Sequence, residues 1–219
     1  MLSPTEENYL KALLKIASEH SEAQVGTNEL AAQLEVKPAT VNSMLKKLKE
    51  KGLIAYEKYG KIQLTSQGQK QSVAIIRRHR LWETFLYQKL GFTWDEVHEV
   101  AEQLEHVNSP KLTELLDQFL GYPQFDPHGE PIPGVDGRLK MRDERTLSDM
   151  EIGTVCELVA VNDDSSTFLR YAQRLSFALG DVVKIKGIEA YDDMMEIEKS
   201  GETISVSRAF AMNFKVREV

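Results

Sequence analysis

The 219-residue chain has a single cysteine, Cys156, which excludes an internal disulfide framework and any cysteine-rich zinc finger. No apolar run approaches the ~20 residues that a membrane span needs, so a membrane is not an expected partner. The first residues, MLSPTEENYL, lack the hydrophobic segment of a signal peptide, and a cytoplasmic protein is expected. An overall excess of positive charge is missing too. The formal net charge is −7, which argues against nucleic-acid binding if the charge is evenly spread.

The charge is not evenly spread. Residues 1–70 hold 10 Lys/Arg and 8 Asp/Glu, and between Lys37 and Lys61 seven lysines stand against Glu50 and Glu57. A local basic patch on an acidic chain suits a DNA-reading module attached to an acidic sensor, although lysine-rich helix surfaces are common. The length suits two or three small domains. Hydrophobic and charged contents of 42% and 28% are those of an ordinary globular protein.

The order of elements in residues 1–70 is more informative. Tyr9, Leu10, Leu13, Leu14 and Ile16 make an amphipathic helix over Pro4 to Ile16, with Ser3 or Thr5 as its cap. A short second helix opens at Thr27 and ends near Leu34. After the tight link Glu35-Val36-Lys37, Pro38 suits the first turn of a third helix that runs to Lys51 and stops at Gly52. Two β-like runs, Leu53 to Lys58 and Lys61 to Thr65, follow around Tyr59-Gly60. Short helix, turn, helix and hairpin together predict a winged helix-turn-helix.

In such a module the start of the second helix of the motif enters the major groove. Here it offers Pro38, Ala39, Thr40, Asn42 and Ser43, small residues with no Arg or Gln for bidentate base reading. Thymine-methyl contacts, hydroxyls and DNA shape are then expected to carry sequence preference, unless Thr40 and Ser43 merely cap or solvate the helix. Lys37, Lys46, Lys47, Lys58 and Lys61 are the phosphate candidates. Thr65-Ser66-Gln67-Gly68 reads as a brief break, after which a long helix runs to about Leu90. Its apolar residues cover more than one face, which calls for one partner within the chain and another in a second subunit.

Residues 75–108 hold three of the five histidines. His79 and Glu83 are an i, i+4 pair. On a helix opened by the capping box Thr93/Glu96, His98, Glu102, Glu105 and His106 fall within an arc of roughly 100°. Val97, Val100, Ala101, Leu104 and Val107 occupy the opposite side. Two such helices could converge on a divalent cation; taken alone, a His/Glu stripe opposite an apolar one is more usually the solvated face of a helix.

Residues 1–140 resemble the diphtheria toxin repressor and manganese transport regulator family of metal-dependent transcriptional repressors. The resemblance lies in Thr5-Glu6-Glu7-Asn8-Tyr9-Leu10, Leu64-Thr65-Ser66-Gln67-Gly68, Arg78-His79-Arg80-Leu81 with Glu83, Glu102 with Glu105-His106, and Gly129-Glu130-Pro131-Ile132-Pro133-Gly134. It implies a mainly α fold with β: a winged helix-turn-helix over 1–70, a helical dimerisation and metal-binding domain over 71–140, and an SH3-like β domain over 146–219. Short strands over Thr154 to Val161, Asp181 to Ile188, Met194 to Glu198 and Thr203 to Ser207 agree with the last.

The same resemblance implies a primary metal site of Asn8, Glu102, Glu105 and His106. It implies an ancillary site of His79, Glu83 and His98, with Asp164 as the donor from the SH3-like domain. Glu102 stands where iron-responsive members carry a cysteine, and carboxylate in place of sulfur favours Mn²⁺ over Fe²⁺. Zn²⁺ and Co²⁺ are expected to substitute in vitro. Asn8 stands where manganese-type members carry aspartate, and Lys11 where some carry glutamate, which argues against two adjacent ions there. A homodimer on palindromic double-stranded operator DNA, repressing metal-uptake genes, follows as the expected function. No catalytic nucleophile or general base is evident, and no enzyme activity is expected. The alternative is a winged-helix regulator answering to a small organic ligand, its His/Glu face only solvated.

Overall fold

The computed structural model describes residues 2–19, 24–56 and 61–219. His20, Lys58 and the Tyr59-Gly60 turn lie outside the described residues. The chain divides into two compact units: Met1–His79 with Glu102–Thr113 and Pro133–Leu139, and Arg80–Ala101 with Glu114–Ile132 and Lys140–Val219.

In the first unit, α1 (Pro4–Glu19) is started by Ser3, whose hydroxyl accepts from Glu6 N while the Glu6 carboxylate accepts from Ser3 N. This reciprocal pair is a capping box, and it selects Ser3 over Thr5 as the cap. The second helix, α2 (Thr27–Gln33), is followed by a four-residue turn in which Glu35 takes a φ of +53°. Pro38 then opens α3 (Pro38–Glu50). Strands β1 (Ile54–Tyr56) and β2 (Ile62–Leu64) pair antiparallel with Ile54 opposite Leu64. Leu10, Leu13, Leu30, Val41, Leu45, Leu48 and Ile62 are fully buried in one cluster, the apolar stripes of three helices closed over by the wing.

The long helix α4 covers Ser66–Leu90 and passes from the first unit to the second. The glycine at its start is not a break. Thr65 Oγ1 accepts from Gly68 N and caps the helix, and a side chain at 68 would meet Leu53 O at 1.9 Å. Gly68 is there because the backbone leading into β1 passes directly over it.

Two shorter helices follow, α5 (Val97–Leu104) and α6 (Pro110–Phe119), the second of which the apolar pattern did not mark. Of the expected capping box only one half forms: Thr93 N donates to the Glu96 carboxylate, but the Thr93 hydroxyl donates to Asp95 Oδ1 and Glu96 N to Thr93 O, and α5 begins only at Val97. However, α5 ends at Leu104, so Glu105 and His106 stand in the turn beyond it. Within α5 the expected faces hold, with Val97 and Ala101 buried and Glu102 exposed, but beyond its end they do not: Glu105 is fully buried, whereas Val107 is 44% exposed.

The rest of the second unit is built on β3 (Arg145–Thr146), β4 (Val155–Val161), β5 (Val182–Ile188), β6 (Met195–Lys199), β7 (Glu202–Val206) and β8 (Phe214–Glu218). They form an antiparallel sheet in the order β3-β8-β4-β5-β6-β7. Helices α7 (Ser166–Arg174) and α8 (Arg208–Ala211) are each capped by a serine hydroxyl, Ser165 and Ser207. Phe168, Phe177, Phe210 and Phe214 meet at centroid distances of 5.2–5.9 Å and, with Leu158, Ile185 and Ile197, form the core. Among the described residues no helix is long and apolar enough to cross a membrane.

Candidate metal centres and nucleic-acid surface

On α3 the core face is Val41, Leu45 and Leu48. The other side exposes Pro38, Ala39, Thr40, Ser43, Lys46 and Lys47, with Lys37 and Lys61 exposed beside them. Asn42 is different. Its Oδ1 accepts from Tyr56 Oη at 2.8 Å and its Nδ2 donates to Pro38 O at 3.1 Å, so its amide braces α3 against the wing. The Ser43 hydroxyl donates back to Ala39 O at 3.3 Å.

A cluster of ionisable groups forms in the first unit where α1 meets the end of α5 and α4. Lys11 Nζ lies 3.0 Å from Glu102 Oε1 and 2.9 Å from the Glu105 carboxylate. His79 Nδ1 is 2.6 Å from Glu105 Oε2. Arg78 donates from Nε to Glu105 O at 2.6 Å and from Nη2 to Glu7 Oε1 at 3.1 Å, which fixes the turn after α5 against α1. Asn8, half-buried on α1, lies between Glu7 and Lys11 in the sequence of that helix. Burial pushes the Glu105 carboxyl upward, but the His79 hydrogen bond and the Lys11 charge outweigh it, and its pKa is lowered.

His106 Nδ1 donates to Glu7 Oε2 at 2.6 Å, since a carboxylate can only accept. With Nδ1 so engaged, Nε2 is the nitrogen left for a ligand, and it lies 4.0 Å from Glu105 Oε1. That Glu105 oxygen is buried and makes no hydrogen bond, although Lys11 Nζ is near. An imidazole nitrogen 4.0 Å from a buried carboxylate oxygen whose near neighbour is the Lys11 ammonium, with Glu102 and the Asn8 helix alongside, fits a divalent cation. Glu7, which orients the histidine, was not singled out from sequence. Its place one residue before Asn8 was the available signal.

The second unit holds another set. Glu83, Asp126 and His128 are all buried, and each offers a ligand atom within 4.8 Å of the others. His98 Nδ1 lies 3.2 Å from Glu83 Oε1, and His128 Nδ1 lies 3.7 Å from it. His128 Nε2 donates to Trp94 O at 3.0 Å, so Nδ1 carries the lone pair. Asp126 Oδ1 accepts from His128 N and Glu130 N, while its buried Oδ2 has no hydrogen bond and faces Arg80 Nε at 3.5 Å. Burial first, then the charges of Glu83 and Glu130, pushes the Asp126 carboxyl well above its ordinary value despite Arg80.

A cation is the natural partner for two buried carboxylates and an imidazole lone pair. The loop is held there by Gly129, whose φ of +84° and close approach to Val159 O, 2.2 Å from where a Cβ would stand, admit no side chain. Sequence reading took His128 for an ordinary loop residue. The Asp126-x-His128 spacing next to Gly129 was the only signal. His79, one helical turn before Glu83 on α4, belongs to the expected ancillary set with His98. Asp164, partly buried in the loop before α7, is not one of the groups within that 4.8 Å, among the described residues.

Comparison with known proteins places these geometries in a family. Residues 1–62 match the iron dependent repressor N-terminal DNA binding domain, 65–134 its metal binding and dimerisation domain, and 145–218 the FeoA domain. The iron-dependent repressor IdeR of Mycobacterium leprae is 32% identical over 138 residues, covering 61% of this chain and 57% of its own length. The diphtheria toxin repressor of Corynebacterium diphtheriae is 30% identical over 139 residues, or 62% and 59%. The chain thus spans somewhat over half the length of these curated relatives. A manganese-dependent transcriptional repressor solved in complex with manganese is 34% identical over 98% of this chain and 100% of its own, with a TM-score of 0.85. The repressor ScaR solved with bound Cd²⁺ is 32% identical over 98% and 99%, with a TM-score of 0.77. With a winged helix-turn-helix, a helical segment bearing His/Glu clusters and a C-terminal FeoA domain, the chain belongs to the iron-dependent repressor family.

Proposed function

We propose that the chain is a metal-dependent DNA-binding repressor of metal-uptake genes, activated by Mn²⁺ or Fe²⁺ and acting as a homodimer on a palindromic operator. The observation that carries this reading is the approach of α1 to Glu102, Glu105 and His106 within the unit that bears the winged helix. Asn8, Glu102, Glu105 and His106 would hold the primary ion, whose charge would offset the two carboxylates. Three oxygen donors and one nitrogen suit Mn²⁺ better than a sulfur-containing set would. Glu7 fixes the His106 tautomer, and Arg78 fixes the turn that presents Glu105. Joining α1 to that turn holds the helix that carries α2 and α3, so metal and operator each raise affinity for the other.

For the ancillary ion we take Glu83, Asp126 and His128, with His98 at its edge, because Asp126 Oδ2 in that set is buried without a hydrogen bond among the described residues. His79 and Asp164 are the further ligands expected from the resemblance. Lys37, Lys46, Lys47, Lys58 and Lys61 are assigned to phosphates, and Pro38, Ala39, Thr40, Asn42 and Ser43 to the major groove, with Asn42 bracing rather than reading. Tyr87, Leu90, Leu115, Phe119 and Tyr122 form an exposed apolar surface on α4 and around α6 that suits a second copy. The division at 1–70, 71–140 and 146–219 is part of the same reading.

The test is fluorescence anisotropy on a promoter palindrome, run anaerobically with Mn²⁺, Fe²⁺ and then chelator. Binding that forms with metal and collapses with chelator supports the reading. Binding indifferent to both defeats it.

A further inference from the structure

We propose that the Lys11 ammonium is a built-in competitor for the primary divalent ion, and that it sets the metal concentration at which the protein responds. The proposal rests on the metal reading of Glu102, Glu105 and His106. A single Nζ stands 3.0 Å from Glu102 Oε1 and 2.9 Å from the Glu105 carboxylate. It is therefore centred between the two anionic donors of the set, in the position a shared cation would take. Glu105 is completely buried, and a carboxylate there needs a countercharge in every state of the protein. Lys11 supplies it from α1, one helical turn beyond Glu7 and three residues after Asn8.

An ammonium and a dication cannot share that position, because each would face the other's charge across a few ångströms of poorly screened interior. The exchange is sterically open. Lys11 is 20% exposed on a flexible four-carbon stem and can swing its head into water as the ion enters. The residue thus has opposite effects in the two states. It stabilises the metal-free protein by neutralising Glu105, and it weakens metal binding because its contacts must be given up first. A merely decorative surface pair would do neither.

The test measures Mn²⁺ affinity by calorimetry and the melting temperature of the metal-free protein, for wild type, Lys11→Met, Lys11→Gln and Glu105→Ala. The expected result for both Lys11 variants is Mn²⁺ affinity raised about tenfold or more with a lower metal-free melting temperature. Unchanged or weakened affinity overturns the proposal. If Glu105→Ala binds Mn²⁺ as wild type does, the metal reading itself has failed; if Glu105→Ala loses the ion while the Lys11 variants bind normally, only the role of Lys11 has. Should the variants not fold, wild type gives the answer directly. Acetylation of Lys11 by an amine reagent, followed by peptide mass spectrometry, should rise several-fold on adding Mn²⁺, and an unchanged or reduced yield overturns the proposal.

Discussion

His106 and Glu7 meet at 2.6 Å, Nδ1 to carboxylate, and this one hydrogen bond decides which nitrogen of the ring can face Glu105. Partners of this kind are worth roughly 10- to 100-fold in metal affinity. Glu7→Ala should therefore weaken Mn²⁺ binding by about that factor in calorimetry, while Glu7→Gln, which keeps an acceptor, should retain most of it. Equal losses in both variants would mean that Glu7 acts through its charge on Arg78 rather than by orienting the histidine.

The buried set in the second unit makes a separate prediction. Asp126→Ala and His128→Ala should each remove one bound Mn²⁺ per chain, counted by equilibrium dialysis, and leave the ion at Glu105 in place. Two ions retained in Asp126→Ala would show that Asp126 is not a ligand and would return the ancillary site to His79, Glu83 and His98.

The two polar classes on α3 should separate in DNA binding. Lys46→Ala and Lys47→Ala should weaken all DNA sequences alike and flatten the salt dependence by about one unit of slope each. Asn42→Ala should instead destabilise the folded protein by about 1–2 kcal/mol, since the Tyr56 hydroxyl loses its acceptor. Denaturant unfolding distinguishes them: a normal midpoint for Asn42→Ala would free that residue for base reading.

Cys156 is fully buried on β4, and burial, followed by the charge of Glu218, pushes its thiol up from 9.0 to about 11. The native protein should not react with a thiol reagent at pH 8, and should titrate one thiol in denaturant. The unfolded thiol ionises near pH 9 whereas the folded one stays neutral. Stability from this group is thus complete below pH 9 and falls as pH rises towards 11. A midpoint in urea that does not fall over that range in wild type relative to Cys156→Ala would contradict the assignment.

Most of the winged helix could be read from sequence because its signals are local: Pro38 at a helix start, Gly52 at a helix end, and apolar stripes on each helix. The proposed ligands Glu102, Glu105 and His106 were visible through spacing and resemblance. What spacing could not supply was burial. The same stripe reads as solvated or as a site, and only the fold shows Glu105 at zero exposure with Val107 outside. Glu7, Asp126 and His128 escaped notice for a related reason. Their partners lie 99 residues away for Glu7 and in α4 for the other two, so no local pattern marks them. Gly68 misled because a glycine required by a neighbouring backbone looks, in sequence, like one that ends a helix.

The most direct test of the account is the Mn²⁺ affinity of the protein measured twice by calorimetry, free and saturated with operator duplex. If the ion at Asn8, Glu102, Glu105 and His106 gates DNA binding, operator must tighten Mn²⁺ binding by the same factor by which Mn²⁺ tightens operator binding, typically about 5- to 150-fold. Equal Mn²⁺ affinity with and without operator would contradict it.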